Sequence, residues 1–312
     1  MKNEKVVQNK HLKNYFKRYW MVYAMLLPGV LYLTIFKYIP MYGVVMAFKD
    51  YDGIGRIFDA PWVGLANFER IFSTKAFTRA LRNTIEISLL KLIIGFPMPI
   101  LLALLIDSVN IKIIKRMTQT VVFLPSFISW VLVYGLFYAV FSPGTGCIQA
   151  ILEFFGYQGT IPNIFAQKDT FRFAIMLTSI WHNAGSSSII YLAALTGIDQ
   201  QLYEAAAIDG AGRWRQLWHI TLPGIRGTIA TLLIMRVGEM MYAGFDQIFV
   251  MYNDAVKSVA EILDTYVYSI GLGQRNYSIA AAAGLFQSLI GMILVITTNK
   301  IAKKLEPDSG LF

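Results

Sequence analysis

The sequence predicts an all-α membrane protein with six spanning helices. Of its 312 residues, 56% are hydrophobic and only 15% are charged. The mean hydropathy is +0.51, a balance that excludes disorder and is foreign to soluble domains. Six stretches are apolar for the roughly 20 residues a helix needs to cross a hydrocarbon core of about 30 Å. They are Met21–Phe48, Thr84–Ile106, Thr118–Phe141, Phe173–Leu195, Gly227–Met251 and Ser278–Asn299.

The elements follow in order. Residues 1–19 form a basic arm with Lys2, Lys5, Lys10, Lys13, Lys17 and Arg18. Leu12, Tyr15, Phe16, Tyr19 and Trp20 give it an apolar side that suits the inner leaflet. A spanning domain, 20–300, precedes a short tail, 301–312. The first span exceeds the length it needs and contains Lys37 and Pro40. At about 1.5 Å per residue, Lys37 falls near the far interface, where its amine snorkels. The stretch after Pro40 therefore reads as a kinked or interfacial continuation. In the second span Glu86 lies near the outer end and Lys91 deeper; their spacing points them in different directions, so each should meet another helix. Pro97, Pro99 and Pro125 are predicted kinks. In the sixth span Gln287 and Ser288 are placed to reach a cavity or to bond across helices.

Between the fourth and fifth spans lies a polar stretch, 197–223. Asp199 is a helix N-cap candidate because its carboxylate can accept from free first-turn N–H groups. Gln200 to Ile208 then favours helix, Asp209 follows it, and Gly210 suits the left-handed stop. Arg213 to Trp218 reads as a second helical piece, and Pro223 opens the next span.

Lysine and arginine next to the spans set the orientation. Fifteen fall on the side of the termini and the 197–223 loop, against ten on the other side, where nine acids bring the balance close to neutral. Both termini and the loop are therefore expected in the cytoplasm of a multi-pass protein of the bacterial cell membrane. The net charge of +9 is spread over ends and loops. It suits the membrane surface, and no nucleic-acid partner is expected. The single cysteine, Cys147, excludes an internal disulfide or a cysteine metal cluster. His11, His182 and His219 lack metal-ligand spacing, so no metal is expected. No cleavable leader is expected either: the polar, basic start is followed by an apolar run that is too long and lacks a small-residue cleavage site.

Within the loop, Glu204-Ala205-Ala206, three residues, Gly210, nine residues, Ile220, one residue and Leu222-Pro223 match the signature loop of ABC importer permeases in identity and spacing. The chain resembles that family from about residue 20 onward. Val63-Gly64-Leu65-Ala66-Asn67-Phe68, with Ile71 and Phe72 continuing at helical spacing, is similar to an element of its sugar-importing branch. Lys37-Tyr38-Ile39-Pro40-Met41-Tyr42-Gly43, with Ala47-Phe48-Lys49-Asp50-Tyr51, resembles the Gram-positive subgroup associated with complex oligosaccharides. The resemblance implies the type I importer permease fold, with a cytoplasmic coupling helix between the fourth and fifth spans. It implies Glu204, Ala205, Ala206, Asp209, Gly210 and Pro223 as ATPase-coupling residues. It also implies four partners beside the oligosaccharide: a second homologous permease, two cytoplasmic ABC ATPases and an extracellular sugar-binding lipoprotein. No Gly-x-x-x-x-Gly-Lys-Ser/Thr phosphate loop is present. The chain itself is then no enzyme and holds no cofactor, and ATP and Mg belong to the partner ATPase.

Two polar stripes predict a substrate pathway. Ser179, His182, Asn183 and Ser186 share a face of the fourth span. Arg236, Glu239, Ala243 and Asp246, flanked by Tyr242, share one of the fifth. Charge inside a span usually faces protein or water. His182 and Arg236 fall at similar depth, so a hydrated cavity is expected, with Trp181, Tyr191 and Tyr242 as nearby aromatics. The alternative for Arg236 and Glu239 is a structural ion pair; for Ser186, Ser187 and Ser188 it is close helix packing. An ion-coupled sugar carrier would explain the charges but leave the loop idle. A membrane-embedded enzyme would need catalytic acids closer than Glu239 and Asp246, which lie about 10 Å apart along one helix.

Overall fold

The structure, a computed structural model, describes the backbone of residues 2–305 and the side chains of residues 18–304. The side chains of Leu12, Tyr15 and Phe16 and the tail beyond residue 305 lie outside the described residues. Among those described, the chain is helical, with one isolated antiparallel bridge between Lys49 and Trp62.

Helix α1 (Lys2–Leu33) bends at Tyr19, whose φ of −111° is non-helical, where arm gives way to span. A π turn (Thr34–Tyr38) and a 3-10 stretch (Ile39–Phe48) carry it past Pro40. Of the window that qualifies Arg18–Phe48 as a span, 0% is buried within the chain. The connection that follows is tied down by Asn67, at the start of α2 (Ala66–Ser73). Its amide donates to the carbonyls of Ala47 (3.0 Å) and Lys49 (2.8 Å). Phe48 stacks on Trp62 with ring centroids 5.7 Å apart.

The second span joins α3 (Lys75–Leu90) to α4 (Pro97–Asp107) through a π turn, Lys91–Gly95. This turn precedes Pro97, whose ring crowds the carbonyl one turn back and whose nitrogen has no hydrogen to give. Within α3, Glu86 pairs with Arg82 (2.6 Å), and it also pairs with Arg172 of α8 (Lys168–Thr196). Arg79 pairs with Glu261 at 2.7 Å. Arg79 and Arg82, two of the ten cations on that side, are thus paired with carboxylates.

The third expected span is broken. Helix α5 (Lys112–Phe123) passes through a 3-10 turn at Pro125 into α6 (Trp130–Phe141), and the two meet at 106°. A short α7 (Cys147–Phe154) leads to α8 (Lys168–Thr196), the fourth span and one of the longest helices. Gly185 brings it onto α5, where an added Cβ would strike the Val122 carbonyl.

Helix α9 (Gln200–Ile208), α10 (Arg213–Gln216) and α11 (Leu222–Gly224) build the loop before α12 (Arg226–Gly238). The fifth span, expected as one helix, ends at Gly238 and resumes only in α13 (Phe245–Met251). After α14 (Lys257–Ala260) and α15 (Leu263–Tyr268), α16 (Tyr277–Leu305) forms the sixth. By length and apolar character three helices qualify as spans, or five if each bent pair counts as one. The more polar α8 is not among them. Buried clusters tie the spans together: Ile87, Phe137, Ile175 and Ile248 in one, Phe77, Met241 and Tyr266 in a second, and Ala103, Tyr191 and Ile225 in a third.

Candidate functional site: a polar cavity and an exposed loop helix

The break in the fifth span is the centre of the site. Glycines flank residues 239–243, and Gly244 takes φ +98°, a left-handed backbone that side chains resist. Unwinding frees carbonyls that an intact helix would satisfy. Lys91 from the second span answers two needs here. Its ammonium donates to the Ala243 carbonyl (2.7 Å) and to Gln247 Oε1 (2.6 Å). Gln247 then donates to the Ile175 carbonyl (2.8 Å) and Thr178 Oγ1 (2.9 Å) on α8. Lys91, Gln247 and Thr178 thus pin the broken helix to two neighbours. From the other side, Gln287 donates to the Met241 carbonyl (2.8 Å) and to Asp264 Oδ1 (2.7 Å). The Tyr242 and Ser288 hydroxyls lie 3.2 Å apart.

Beside the break lies a cavity of about 560 Å³. From the fifth span it is lined by Arg236, Glu239, Tyr242, Ala243 and Asp246, the whole predicted group. They do not share one helical stripe, however, because the chain leaves the helix at Glu239. Ala243 is only 1% exposed and lies at the cavity edge. Arg236 and Glu239 approach to 3.5 Å with side chains 38% and 63% exposed, and a pair so open to water adds little stability.

From the fourth span, Ser179 and Asn183 line the cavity, together with Ser187 and Tyr191. His182 and Ser186 are not among the lining residues. His182 is buried against Trp130, with ring centroids 4.1 Å apart and Nε2 3.0 Å from the Ile128 carbonyl. That contact braces the bend between α5 and α6. Ser188 is buried, its hydroxyl donating to the Gly185 carbonyl of the same helix at 2.7 Å. Trp181 packs edge-on against Phe137. Sequence reasoning missed Asp264 and the part played by Gln247. Both follow the break in sequence, where no stripe announces them.

The loop helix is the second feature. Asp199 caps α9, its carboxylate accepting from the Gln201 amide at 2.9 Å. Its other end is a Schellman turn: Ala211 N–H donates to the Ala206 carbonyl (2.8 Å) and Gly210 N–H to that of Ala207 (3.1 Å). Gly210 has φ +73°, and no neighbour would meet a Cβ there. No residue of α9 is buried. Glu204, Ala205 and Asp209 are exposed and Ala206 half-buried. Ile208 is 87% exposed and Trp214 74%. The loop is held through Tyr203, whose hydroxyl lies 2.9 Å from Thr221 Oγ1. Pro223 sits in α11, at the 60° bend into α12.

Comparison with known proteins bears on both features. Residues 95–307 match the family described as the binding-protein-dependent transport system inner membrane component. The chain is 44% identical over 300 residues to the polygalacturonan/rhamnogalacturonan transport system permease protein YteP of Bacillus subtilis (strain 168), covering 96% of this chain and 90% of that protein. It is 44% identical over 296 residues to protein LplB of the same organism, covering 95% and 92%. Its fold matches a chain in the crystal structure of a bacterial ABC transporter involved in import of the acidic polysaccharide alginate. The TM-score is 0.87 at 40% identity, over 95% of this chain and 99% of that one. A second match, in the alginate transporter bound to an alginate pentasaccharide-loaded periplasmic protein, has a TM-score of 0.86 at 40% identity, over 94% and 97%. The all-helical architecture is thus a shared fold, and the chain belongs to the binding-protein-dependent transport system inner membrane component family.

Proposed function

We propose that this chain is one permease subunit of a type I ABC importer that moves a polysaccharide-derived oligosaccharide by alternating access. One observation carries the reading: the exposed, capped helix α9 is joined by continuous chain to both α8 and α12, and those two helices line the polar cavity. A force applied to α9 reaches α8 through the short turn 197–199, and α12 through α10 and α11. In this reading both termini and α9 face the cytoplasm, as the excess of lysine and arginine on their side supports. There Glu204, Ala205, Ala206, Asp209 and Gly210 meet one of two ATPase subunits, which bind ATP and Mg. A second, homologous permease completes the pore, and an extracellular binding lipoprotein delivers the sugar. The names of the relatives support an oligosaccharide. So does the cavity lining: carboxylates, an arginine, amide and hydroxyl groups suit sugar hydroxyls, and Tyr242 and Trp130 offer faces to sugar rings.

In the complete transporter, reconstituted in proteoliposomes, uptake of an alginate or galacturonate oligomer should require ATP inside a subset of vesicles whose ATPase face is accessible. Uptake driven by an ion gradient without ATP would favour the carrier reading. Within this reading Glu239→Gln has a specific outcome. The carboxylate is open to the cavity and its pair with Arg236 is loose, so assembly and thermal midpoint should stay at wild-type values. Uptake should fall roughly tenfold, the equivalent of about one charge-assisted hydrogen bond. Unchanged uptake would take Glu239 off the pathway.

A further inference from the structure

The wall of the polar cavity carries a buried ammonium that no carboxylate of the chain balances. Lys91 lines the cavity and is only 6% exposed. Its two bonds go to the Ala243 carbonyl and the Gln247 amide oxygen, both neutral, and no carboxylate pairs with it among the described residues. The three acids of the cavity wall are placed elsewhere. Glu239 faces Arg236, Asp264 is held by Gln287, and Asp246 is exposed in the first turn of α13, where free N–H groups favour a negative charge. Arg236 lines the same cavity, and its positive field acts on Lys91. An ammonium has three hydrogens to donate, and the third of Lys91 has no acceptor among the described residues. Gly244 keeps the amine uncovered, because a Cβ there would lie 2.9 Å from Nζ.

We propose that Lys91 and Arg236 receive the carboxylate of an acidic sugar unit, so that the cavity selects a uronate-bearing chain over a neutral chain of the same length. The inference rests on the importer reading above and narrows its substrate to acidic oligosaccharides. Two like charges on one wall, one of them buried, oppose each other, and an anion brought within reach of both stabilises each. A carboxylate offers acceptors to the free ammonium hydrogen and to the guanidinium fork, and hydrogen bonds between ionised groups are the strong ones. A neutral sugar hydroxyl leaves the buried charge uncompensated. The contact of Arg236 with Glu239 does not compete strongly: it is 3.5 Å long and open to water, so the guanidinium is free to turn to a sugar.

The test uses the complete membrane transporter in detergent without its binding protein, so that the binding protein's own preference does not enter. The probes are trigalacturonate and trimannuronate, each beside its carboxyl-reduced, neutral counterpart. Titrating the thermal midpoint with each probe reads its apparent affinity. The wild type should prefer an acidic trimer roughly tenfold, the scale of about one charge-assisted hydrogen bond. Arg236→Gln should assemble normally and bind acidic and neutral trimers alike, whereas Arg236→Lys should keep the preference. Lys91→Gln should lose it as well, and the Arg236 pair of variants decides the matter if Lys91→Gln does not assemble. Equal shifts for acidic and neutral trimers in the wild type, no shift with any trimer, or a preference that survives Arg236→Gln would each overturn the site. So would inorganic phosphate that reproduces the acidic shift at equal concentration, since any anion would then serve. If the wild type prefers the acidic trimer yet imports no oligomer in proteoliposomes, the importer reading fails and the site stands. If it imports oligomers without that preference, the site alone fails.

Discussion

Gly185→Leu should yield almost no assembled permease. The glycine lies where α8 crosses α5, and even a methyl group there would meet the Val122 carbonyl instead of a movable side chain. Backbone cannot swing aside as a rotamer does, so the helices must part. Overpacking of a tight core costs about 1–3 kcal/mol when side chains can adjust, and a backbone clash falls at or beyond the upper end. Parting these helices also disturbs the bend at Pro125 and the stacking of Trp130 on His182. Fluorescence-detected size exclusion in mild detergent measures the outcome. Gly185→Ala should already lower yield and thermal midpoint, and Gly185→Leu should remove the monodisperse peak. A wild-type profile for both would mean that this crossing opens without cost.

The second large effect is expected at Lys91. Lys91→Met keeps much of the apolar stem but leaves the Ala243 carbonyl and Gln247 Oε1 without their donor. Each buried acceptor left unpaired costs about 1–3 kcal/mol. Because Gln247 also holds Ile175 and Thr178, the loss should spread to the fourth span. The thermal midpoint should fall clearly, and uptake should fall further than that of Glu239→Gln. Gln247→Leu in the Lys91→Met background should add less than it does alone, since contacting residues of one network are not additive. Strict additivity of the two midpoints would show that Lys91 and Gln247 act independently.

Much of this was legible in the sequence. Apolar length located the first, second and sixth expected spans as single long stretches, and Asp199 and Gly210 announced the ends of α9 because capping chemistry is local. The predicted fifth-span residues all line the cavity, since a charge within a span usually faces protein or water. What was not legible depends on contacts between distant residues. The break at 239–244 contains no proline. It is set by Gly238 and Gly244 and held by Lys91, which lies 152 residues from Ala243. Periodicity counted through that break gave the right residues for the wrong geometry. His182 fitted a polar stripe, yet an imidazole flat against Trp130 is satisfied within the protein. Pro125 was expected to kink the third span. The size of the bend depends on α8, whose His182 accommodates the Ile128 carbonyl.

The central claim is that α9 transmits ATP hydrolysis to the cavity, and Gly210→Leu in the reconstituted transporter tests it most directly. The φ of +73° makes a side chain there unfavourable by about 1 kcal/mol. No neighbour in the chain would obstruct it, so the permease should fold and insert. The account predicts normal yield and midpoint, with sugar uptake and binding-protein-stimulated ATP hydrolysis both abolished. Wild-type uptake and stimulated hydrolysis in a well-expressed Gly210→Leu transporter would contradict it.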